Sequence, residues 1–313
     1  MDLHSFYALI GFLLAAYAVI ANDSVQILGT FIASNIRVFR WYWLWLAATL
    51  VLGVTLFYGW YINNGDIAWG RLDTIPPVDV QWYHAAAPAV LVLLTRLGIP
   101  VSTTFLVLSV FASTVVLEKM LVKSIVGYGL AATFAYITWM VLAHFINEKF
   151  NMVKTSHRPY WRTLQWVSTG FLWFSWLSHD MANIAVFLPR QVPFDMVLGA
   201  FALLSAGLAY IFWSQGGAIQ RIVLEKTGSR FMRSATIIDL VYGLLLVYFK
   251  ELNNIPMSTT WVFVGLLTGR EFAIATVNRE RYRFVYVFPI VGKDFLKMMT
   301  GLAVSVALVL SIH

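Results

Sequence analysis

Most of this chain consists of apolar runs that are long enough to cross a lipid bilayer and carry almost no charge. Residues 42–61 form one such run, and residues 125–146 form another. A membrane-spanning helix needs about 20 apolar residues. Charged residues make up only 12% of the 313 residues, about half of their share in soluble domains. The sequence therefore predicts an all-α, polytopic membrane protein in contact with the lipid bilayer, and it excludes soluble, disordered and nucleic-acid-binding classes.

The composition narrows the class further. The chain has no cysteine, which excludes disulfides, thiolate metal sites and iron–sulfur clusters. It carries a net charge of +7, as expected for an inner-membrane protein whose cytoplasmic loops are rich in Lys and Arg. No glycine-rich phosphate loop, zinc-binding motif or nucleophile elbow is present. We therefore expect no enzymatic activity, no organic cofactor and no nucleic-acid partner.

The second half of the chain repeats the order of apolar and polar segments in the first half. Asp23 and Asp180 are 157 positions apart. Ser102, in the string IPVSTT, and Ser258, in the string IPMSTT, are 156 positions apart. Both spacings lie within one residue of half the chain length. The sequence predicts an internal duplication with a first repeat at 1–147, a basic cytoplasmic linker at 148–162 and a second repeat at 163–313.

The charges of the loops predict that the two repeats have opposite orientations in the membrane. Loop 63–81 holds three acidic residues and one basic residue, whereas loop 215–233 holds four basic residues and one acidic residue. Basic loops stay on the cytoplasmic side. We therefore expect loop 63–81 outside, loop 215–233 and the linker inside, and both chain termini outside the cytoplasm. Inverted repeats with interrupted helices are typical of secondary transporters.

Each repeat is predicted to contain one broken helix and one re-entrant helical hairpin. The broken helices cover 6–34 and 164–188, with breaks at 22–24 and 178–180. The hairpin arms are apolar pieces that are too short to cross comfortably at about 1.5 Å per residue. These arms lie at 85–97, 101–117, 237–249 and 257–267. Full spans are predicted at 42–61, 125–146, 197–213 and 295–312.

A proline precedes each Ser-Thr-Thr string and predicts that a new helix starts there. A helix start offers free backbone N–H groups and a positive dipole end, to which the hydroxyls add further donors. We call each Ser-Thr-Thr string with the helix start that follows it a tip. Two such tips that enter the membrane from opposite faces would bind a small oxyanion without a lysine or arginine charge. The alternative is plain N-capping of two helices. The candidate residues are Ser102, Thr103, Thr104, Ser258, Thr259 and Thr260.

Two acidic residues, Asp23 and Asp180, interrupt otherwise apolar runs, where an isolated carboxylate is costly. Oxygen ligands beside a helix break suit Na⁺, although a carboxylate alone could carry a proton instead. The alternative is a structural hydrogen bond between the repeats. His179 is interpreted as a neutral hydrogen-bonding residue, a proton relay or a metal ligand. The candidate cation-binding residues are Asn22, Asp23, Gln26, Asp180 and Asn183.

Two further polar residues, His84 and Asp239, precede the two hairpins at nearly equivalent positions. We interpret both as interfacial polar residues, and a role in gating or in pairing with each other is the alternative.

These motifs resemble the inorganic phosphate transporter (PiT) family, whose members are sodium- or proton-coupled symporters and include sulfate permeases. That family repeats the motif Gly-Ala-Asn-Asp-Val-Ala-Asn-Ala in both halves, each followed by Pro-Val-Ser-Thr-Thr-His. The corresponding strings here are Ala21-Asn22-Asp23-Ser24-Val25-Gln26, His179-Asp180-Met181-Ala182-Asn183, Pro100-Val101-Ser102-Thr103-Thr104-Phe105 and Pro256-Met257-Ser258-Thr259-Thr260-Trp261. The resemblance covers essentially the whole chain. It implies that the Ser-Thr-Thr strings bind the oxyanion and that the strings around Asp23 and Asp180 bind Na⁺ and help to hold the anion.

The chain also departs from the family pattern. Gln26 stands at one Asn position and His179 at another, while Phe105 and Trp261 replace the His that closes each hairpin motif. These departures leave Na⁺ and H⁺ both open as the coupling ion, with no metal beyond Na⁺ expected. The resemblance implies a homodimer, which no motif in this chain specifies.

The sequence as a whole predicts a symporter for an inorganic tetrahedral oxyanion, with phosphate as the leading substrate. HPO₄²⁻ carries a proton that a carboxylate can accept in a hydrogen bond, whereas sulfate carries none. A sulfate or thiosulfate permease of the same fold is one alternative. An anion channel without cation coupling is another.

Overall fold

The computed structural model describes residues 2–96, 101–145, 157–216, 232–277 and 284–312, which form helices and turns and contain no strand. We number the helices in chain order: α1 Leu3–Ala18, α2 Ser24–Asn35, α3 Trp41–Ile62, α4 Trp82–Arg96, α5 Thr114–Phe145, α6 Arg158–Asp180, α7 Ala182–Ala185, α8 Phe194–Trp213, α9 Met232–Leu252, α10 Thr259–Val277 and α11 Phe284–Ile312. Two π-helical turns, Val19–Asp23 and Thr104–Leu108, complete the helical structure. The predicted all-α class is confirmed.

Six helical segments in the described part of the chain are long and apolar enough to cross a membrane. They are Leu3–Asn35, Trp41–Ile62, Thr114–Leu142, Phe194–Trp213, Thr259–Val277 and Val287–Ser311. Large apolar side chains cover their outer surfaces; Leu50, for example, is 69% exposed. An apolar surface of this extent belongs in lipid. The chain is therefore an integral, multi-pass membrane protein.

The two predicted helix breaks are local changes in winding. Between α1 and α2 the helix widens into a π-helical turn, and the N–H of Ser24 bonds to the carbonyl of Val19, five residues earlier. Between α6 and α7 the interruption is at Met181, one residue after the predicted break. The N–H of Met181 still bonds to the carbonyl of Leu177 at 3.0 Å. The backbone N–H groups of Ser24 and Met181 therefore keep helical partners at both interruptions.

The two hairpins differ in length, and the prediction of four short arms is wrong for the second one. Helix α9 has 21 residues and α10 has 19, against 15 in α4. In the first hairpin the second arm is only the π-helical turn Thr104–Leu108, and α5 starts soon afterwards at Thr114. Hydropathy marks where a helix is apolar, but polar residues such as Lys250 and Arg270 continue a helix equally well. The lengths of the apolar stretches are therefore shorter than the lengths of α9 and α10.

Corresponding helices of the two halves pack in corresponding ways. Helix α1 contacts α4 as α6 contacts α9, and α3 packs against α8, where Trp45 Nε1 donates to the carbonyl of Ser205 at 2.9 Å. The second half also contacts the hairpin region of the first half. Helix α10 packs along α5, and α11 contacts the turn Thr104–Leu108. These contacts support the predicted duplication. Its boundaries and the inverted orientation remain predictions, and 148–156 and 217–231 lie outside the described residues.

Helix α10 approaches α5 very closely along two glycines. A Cβ atom at Gly265 would lie 2.3 Å from the carbonyl oxygen of Tyr128, and one at Gly269 would lie 1.9 Å from that of Ala132. Small residues spaced four apart allow membrane helices to pack at such short range. This contact holds the start of α10, and with it the second Ser-Thr-Thr string, against the first half of the chain.

Candidate functional site

Both Ser-Thr-Thr strings lie at helix starts, as the proline pattern predicts. Ser102 Oγ accepts a hydrogen bond from the N–H of Phe105 at 3.2 Å. Ser258 Oγ accepts one from the N–H of Trp261, also at 3.2 Å. These are N-cap contacts, in which a side-chain oxygen satisfies a backbone donor of the first turn. Pro256 precedes the second string, while Pro100 lies outside the described residues.

The two tips meet inside the protein. The ring of Phe105 and the ring of Trp261 have centroids 5.4 Å apart and are tilted by 53°. Both residues are buried, with exposures of 1% and 3%. They directly follow the Ser-Thr-Thr strings, at the positions where the resembled family has histidine. Two segments 156 residues apart in sequence are therefore neighbours in the interior, with an aromatic contact between them.

The first tip packs against the motif around Asp23. Asn22 Nδ2 donates to Asp23 Oδ1 at 2.7 Å and to the carbonyl of Val101 at 3.2 Å. Gln26 Nε2 donates to Asn22 Oδ1 at 3.2 Å. Asn183, from the second half, reaches the same tip, and its Nδ2 donates to Thr104 Oγ1 at 3.4 Å. The motifs of both halves therefore converge on the first tip.

Three buried oxygens around the first tip have no hydrogen-bond partner within the described part of the chain. They are Asp23 Oδ2, Thr103 Oγ1 and Asn183 Oδ1. Leaving such atoms unpaired in the interior is costly, so unpaired groups of this kind often mark a ligand site. Carboxylate, hydroxyl and amide oxygens are the ligands that hard cations prefer. The three unpaired oxygens are of the chemical type that binds a hard cation such as Na⁺.

The second tip is more fully bonded. Thr259 Oγ1 donates to Asp180 Oδ2 and accepts from Trp176 Nε1 at 3.2 Å. The other carboxylate oxygen of Asp180 pairs with His179 Nδ1 at 3.0 Å. The backbone of this tip is also bonded, because Tyr242 Oη donates to the carbonyl of Thr259 at 2.8 Å. Asp23 lies close enough to Asp180 for the two carboxylates to interact electrostatically.

All the predicted site residues are buried, with none more than 8% exposed. The set comprises Asn22, Asp23, Gln26, Ser102, Thr103, Thr104, His179, Asp180, Asn183, Ser258, Thr259 and Thr260. Each of these residues belongs to one of the two tips or to one of the two motifs around Asp23 and Asp180. His179 bonds to Asp180, which agrees with a neutral hydrogen-bonding role, and its Nε2 has no partner in the described residues.

His84 and Asp239, which the sequence analysis interprets as interfacial polar residues, are both buried inside the protein. Asp239 Oδ1 accepts from Thr30 Oγ1 at 3.0 Å, and its Oδ2 accepts from Thr169 Oγ1 at 2.5 Å. The ring of His84 stacks on Phe111 with centroids 4.2 Å apart. The threonines lie on α2 and α6, so only the packing of three helices could show that Asp239 is enclosed.

Two cationic side chains near the second tip were also missed from sequence. Arg71, in the loop between α3 and α4, is fully buried, and its Nη1 donates to the carbonyl of Asn253 at 2.6 Å. Lys123, on α5, donates to Asn253 Oδ1 and to the carbonyl of Ile255, both at 2.8 Å. The expectation of a site without lysine or arginine charge therefore does not describe the surroundings of the second tip. A lone arginine in an acidic loop gives no sequence signal for such a position.

Comparison with known proteins identifies the fold. No protein-family model matches the sequence, and no curated protein matches it. In structure, the chain is similar to a solved structure described as "The sodium-dependent phosphate transporter", with a TM-score of 0.68 and 16% sequence identity. The similarity covers 100% of this chain and 99% of that one. The chain therefore has the fold of that transporter over its whole length.

Proposed function

We propose that this protein is a secondary transporter that carries inorganic phosphate across the membrane together with Na⁺. One observation carries the proposal: two Ser-Thr-Thr helix starts meet in the interior of a membrane protein, beside two buried carboxylates. The shared fold with a sodium-dependent phosphate transporter supports it. So do the corresponding contacts of the two halves, since secondary transporters bind their substrate between repeats near the middle of the membrane.

The substrate is held by the two tips. Hydroxyls of Ser102, Thr103 and Thr104 and those of Ser258, Thr259 and Thr260 surround the start of each helix. Helix starts attract anions through their free N–H groups and dipole. Asp23 or Asp180 accepts a hydrogen bond from the proton of HPO₄²⁻, which favours phosphate over sulfate.

Sodium binds at the first tip. Asp23 Oδ2, Thr103 Oγ1 and Asn183 Oδ1 supply buried oxygens, with Asn22 and Gln26 orienting the carboxylate. The bound cation offsets the charge of Asp23 and lowers the cost of placing a dianion nearby. The anion and the cation then stabilise each other in the closed site, and rocking of one repeat against the other exposes both ions to the opposite side. His179, bonded to Asp180, is the residue through which a proton would act in place of Na⁺.

The loop charges support an orientation in the plasma (inner) membrane with both chain termini outside the cytoplasm. A homodimer remains a prediction from the resemblance alone.

Uptake by proteoliposomes tests this function. Purified protein is reconstituted, and radiolabelled phosphate uptake is measured with an inward Na⁺ gradient, with a pH step and with neither. We expect uptake that depends on Na⁺ and that a tenfold excess of sulfate reduces only weakly. Asp23→Ala and Asp180→Ala each abolish driven uptake, and Ser102→Ala and Thr259→Ala weaken the apparent affinity. Asp195→Ala, at an exposed position on α8, is the matched control and keeps wild-type uptake.

Several outcomes would contradict the proposal. Phosphate uptake that ignores both gradients would indicate an anion channel. Uptake of sulfate but not phosphate would indicate a sulfate permease. Wild-type uptake by Asp23→Ala or Asp180→Ala would show that these carboxylates have no part in coupling.

A further inference from the structure

The loop between α3 and α4 is ordered by its own side chains and docks on the second hairpin. Asp66 accepts from the N–H groups of Ala68 and Gly70, each at 2.7 Å, which closes a tight turn. Gly70 has φ of +72°, a conformation that favours glycine. Across the contact, Asn254 Nδ2 donates to Asp73 Oδ2 at 3.0 Å. The loop therefore holds a defined position against residues 253–255, directly before the second Ser-Thr-Thr string.

Arg71 projects from this loop and is only partly paired. Its Nη1 is anchored on the carbonyl of Asn253, and the side chain is 0% exposed. Its Nε and Nη2 have no hydrogen-bond partner among the described residues. These two nitrogens form one edge of the guanidinium and point their N–H bonds in parallel, as a fork that matches two oxygens of a phosphate or carboxylate. The anchor at Nη1 leaves that edge free.

Arg71 belongs to a group of three cations around the second tip. Lys123 Nζ bonds to Asn253 and Ile255, and Lys250 Nζ lies 4.1 Å from the centroid of the Trp69 ring. Arg71 lies close enough to act electrostatically on both lysines.

Asp180 and Glu251 act electrostatically on Arg71, and Asp66 and Asp73 lie on the same loop. Asp180 is already bonded to Thr259 and His179, while Glu251 is exposed at the end of α9. Burial lowers the pKa of the Arg71 guanidinium to about 10, so it stays protonated at neutral pH. The Arg71 guanidinium therefore remains charged, and its Nε and Nη2 atoms bond to no carboxylate among the described residues.

We propose that the Nε and Nη2 edge of Arg71 binds a tetrahedral inorganic oxyanion, forming a second anion subsite beside the second Ser-Thr-Thr tip. The loop between α3 and α4 supplies the ligand-binding group, and Lys250 lies close enough to interact electrostatically with it. This inference rests on the proposed function, because the ion held at Arg71 is the ion that the tips transport. The subsite binds the anion on the side of the tip that the α3–α4 loop covers.

Kinetics of the full-length protein in proteoliposomes test the subsite. In Arg71→Gln we expect the phosphate KM to rise by roughly tenfold or more, because a charged bidentate contact is lost. The Na⁺ concentration for half-maximal uptake is expected to stay as in the wild type. Arg71→Lys keeps the charge without the fork and is expected to show a KM raised several-fold. Arg37→Gln, the same substitution at an exposed arginine, is the control and keeps the wild-type KM.

The outcomes separate this inference from the proposed function. A wild-type KM in Arg71→Gln, or in Arg71→Lys if the first variant does not fold, overturns the subsite while leaving transport intact. If the wild type shows no phosphate uptake, equilibrium binding of radiolabelled phosphate to the protein in detergent decides. Binding by the wild type and at least tenfold weaker binding by Arg71→Gln supports the subsite although the proposed transport has failed. Equal binding by the two proteins, or none by either, overturns the subsite as well.

Discussion

The two Ser-Thr-Thr tips have the same three residues and the same N-cap geometry, but their surroundings differ. At the second tip, Thr259 bonds to Asp180 and Trp176, and the backbone N–H of Ser258 bonds to Ser124 Oγ at 2.8 Å. At the first tip, the equivalent Thr103 lies beside Asp23, but neither Thr103 Oγ1 nor Asp23 Oδ2 makes a hydrogen bond of 3.5 Å or less within the described residues. The second copy of the motif is thus hydrogen-bonded to its surroundings, while the first copy has unpaired oxygens.

The helices that follow the two tips also differ, in both length and packing. The second tip leads into α10, which has 19 residues and packs on α5 through Gly265 and Gly269. The first tip leads into the π-helical turn Thr104–Leu108, which ends after five residues. The two copies of a duplicated motif can therefore have different roles. A rigid copy can keep the shape of the site without ligand, and a copy with free ligand atoms can bind the ion.

The largest effect is expected where the second hairpin is anchored. In Gly269→Ala the new Cβ would lie 1.9 Å from the carbonyl oxygen of Ala132, a backbone atom that cannot move aside. We expect a loss of about 3 kcal/mol or more in the free energy of unfolding, or no monodisperse protein. Size-exclusion chromatography and unfolding in mixed SDS micelles measure this. Gly129→Ala, on α5 with open space around it, is the control. Wild-type stability in Gly269→Ala would show that the anchor is absent.

The next effect separates the two tips directly. Thr259→Val removes a donor from buried Asp180 and an acceptor from Trp176. We expect it to lower the free energy of unfolding by about 1–3 kcal/mol. Thr103→Val, the same change at the equivalent position, removes a hydroxyl that lies beside Asp23 without a hydrogen bond of 3.5 Å or less, and it is expected to change the free energy of unfolding by less than about 0.5 kcal/mol. The same micelle assay, without phosphate or Na⁺, compares the two. Equal losses would mean that the first tip is bonded as fully as the second.

The smallest effect is expected where the tips are alike. Ser102 and Ser258 each accept from the N–H three residues later at 3.2 Å. Ser102→Ala and Ser258→Ala are therefore each expected to cost about 1 kcal/mol, the usual value for an N-cap, and to agree within about 0.5 kcal/mol. Unfolding of both variants in one series checks this. A clear difference would extend the asymmetry of the tips to their caps.

Much of this architecture could be predicted because its causes are local. The length of an apolar run decides whether a helix can cross a bilayer, and runs 42–61 and 197–213 correspond to α3 and α8. A proline followed by Ser-Thr-Thr specifies a capped helix start wherever it occurs, as at Ser258. The two Ser-Thr-Thr strings were also expected to share one site if they entered from opposite faces, and the two segments do meet at Phe105 and Trp261.

Other predictions failed where hydropathy was used to set the length of a helix. Arms of 13 and 11 residues were expected at 237–249 and 257–267, but α9 and α10 continue into polar sequence. The polar residues inside an apolar run predicted a helix break at 22–24. The observed π-helical turn keeps the backbone bonded while it turns Asn22 and Asp23 inward.

By itself the sequence determined the membrane class, the helix starts and the pairing of two motifs, because each follows from neighbouring residues or from a count along the chain. Only the tertiary structure decided which oxygens of the site are free and which charges approach it. Arg71 reaches Asn253 across 182 positions, and Thr30 reaches Asp239 across 209. Contacts over such distances depend on how helices pack, and packing joins side chains that no local pattern relates.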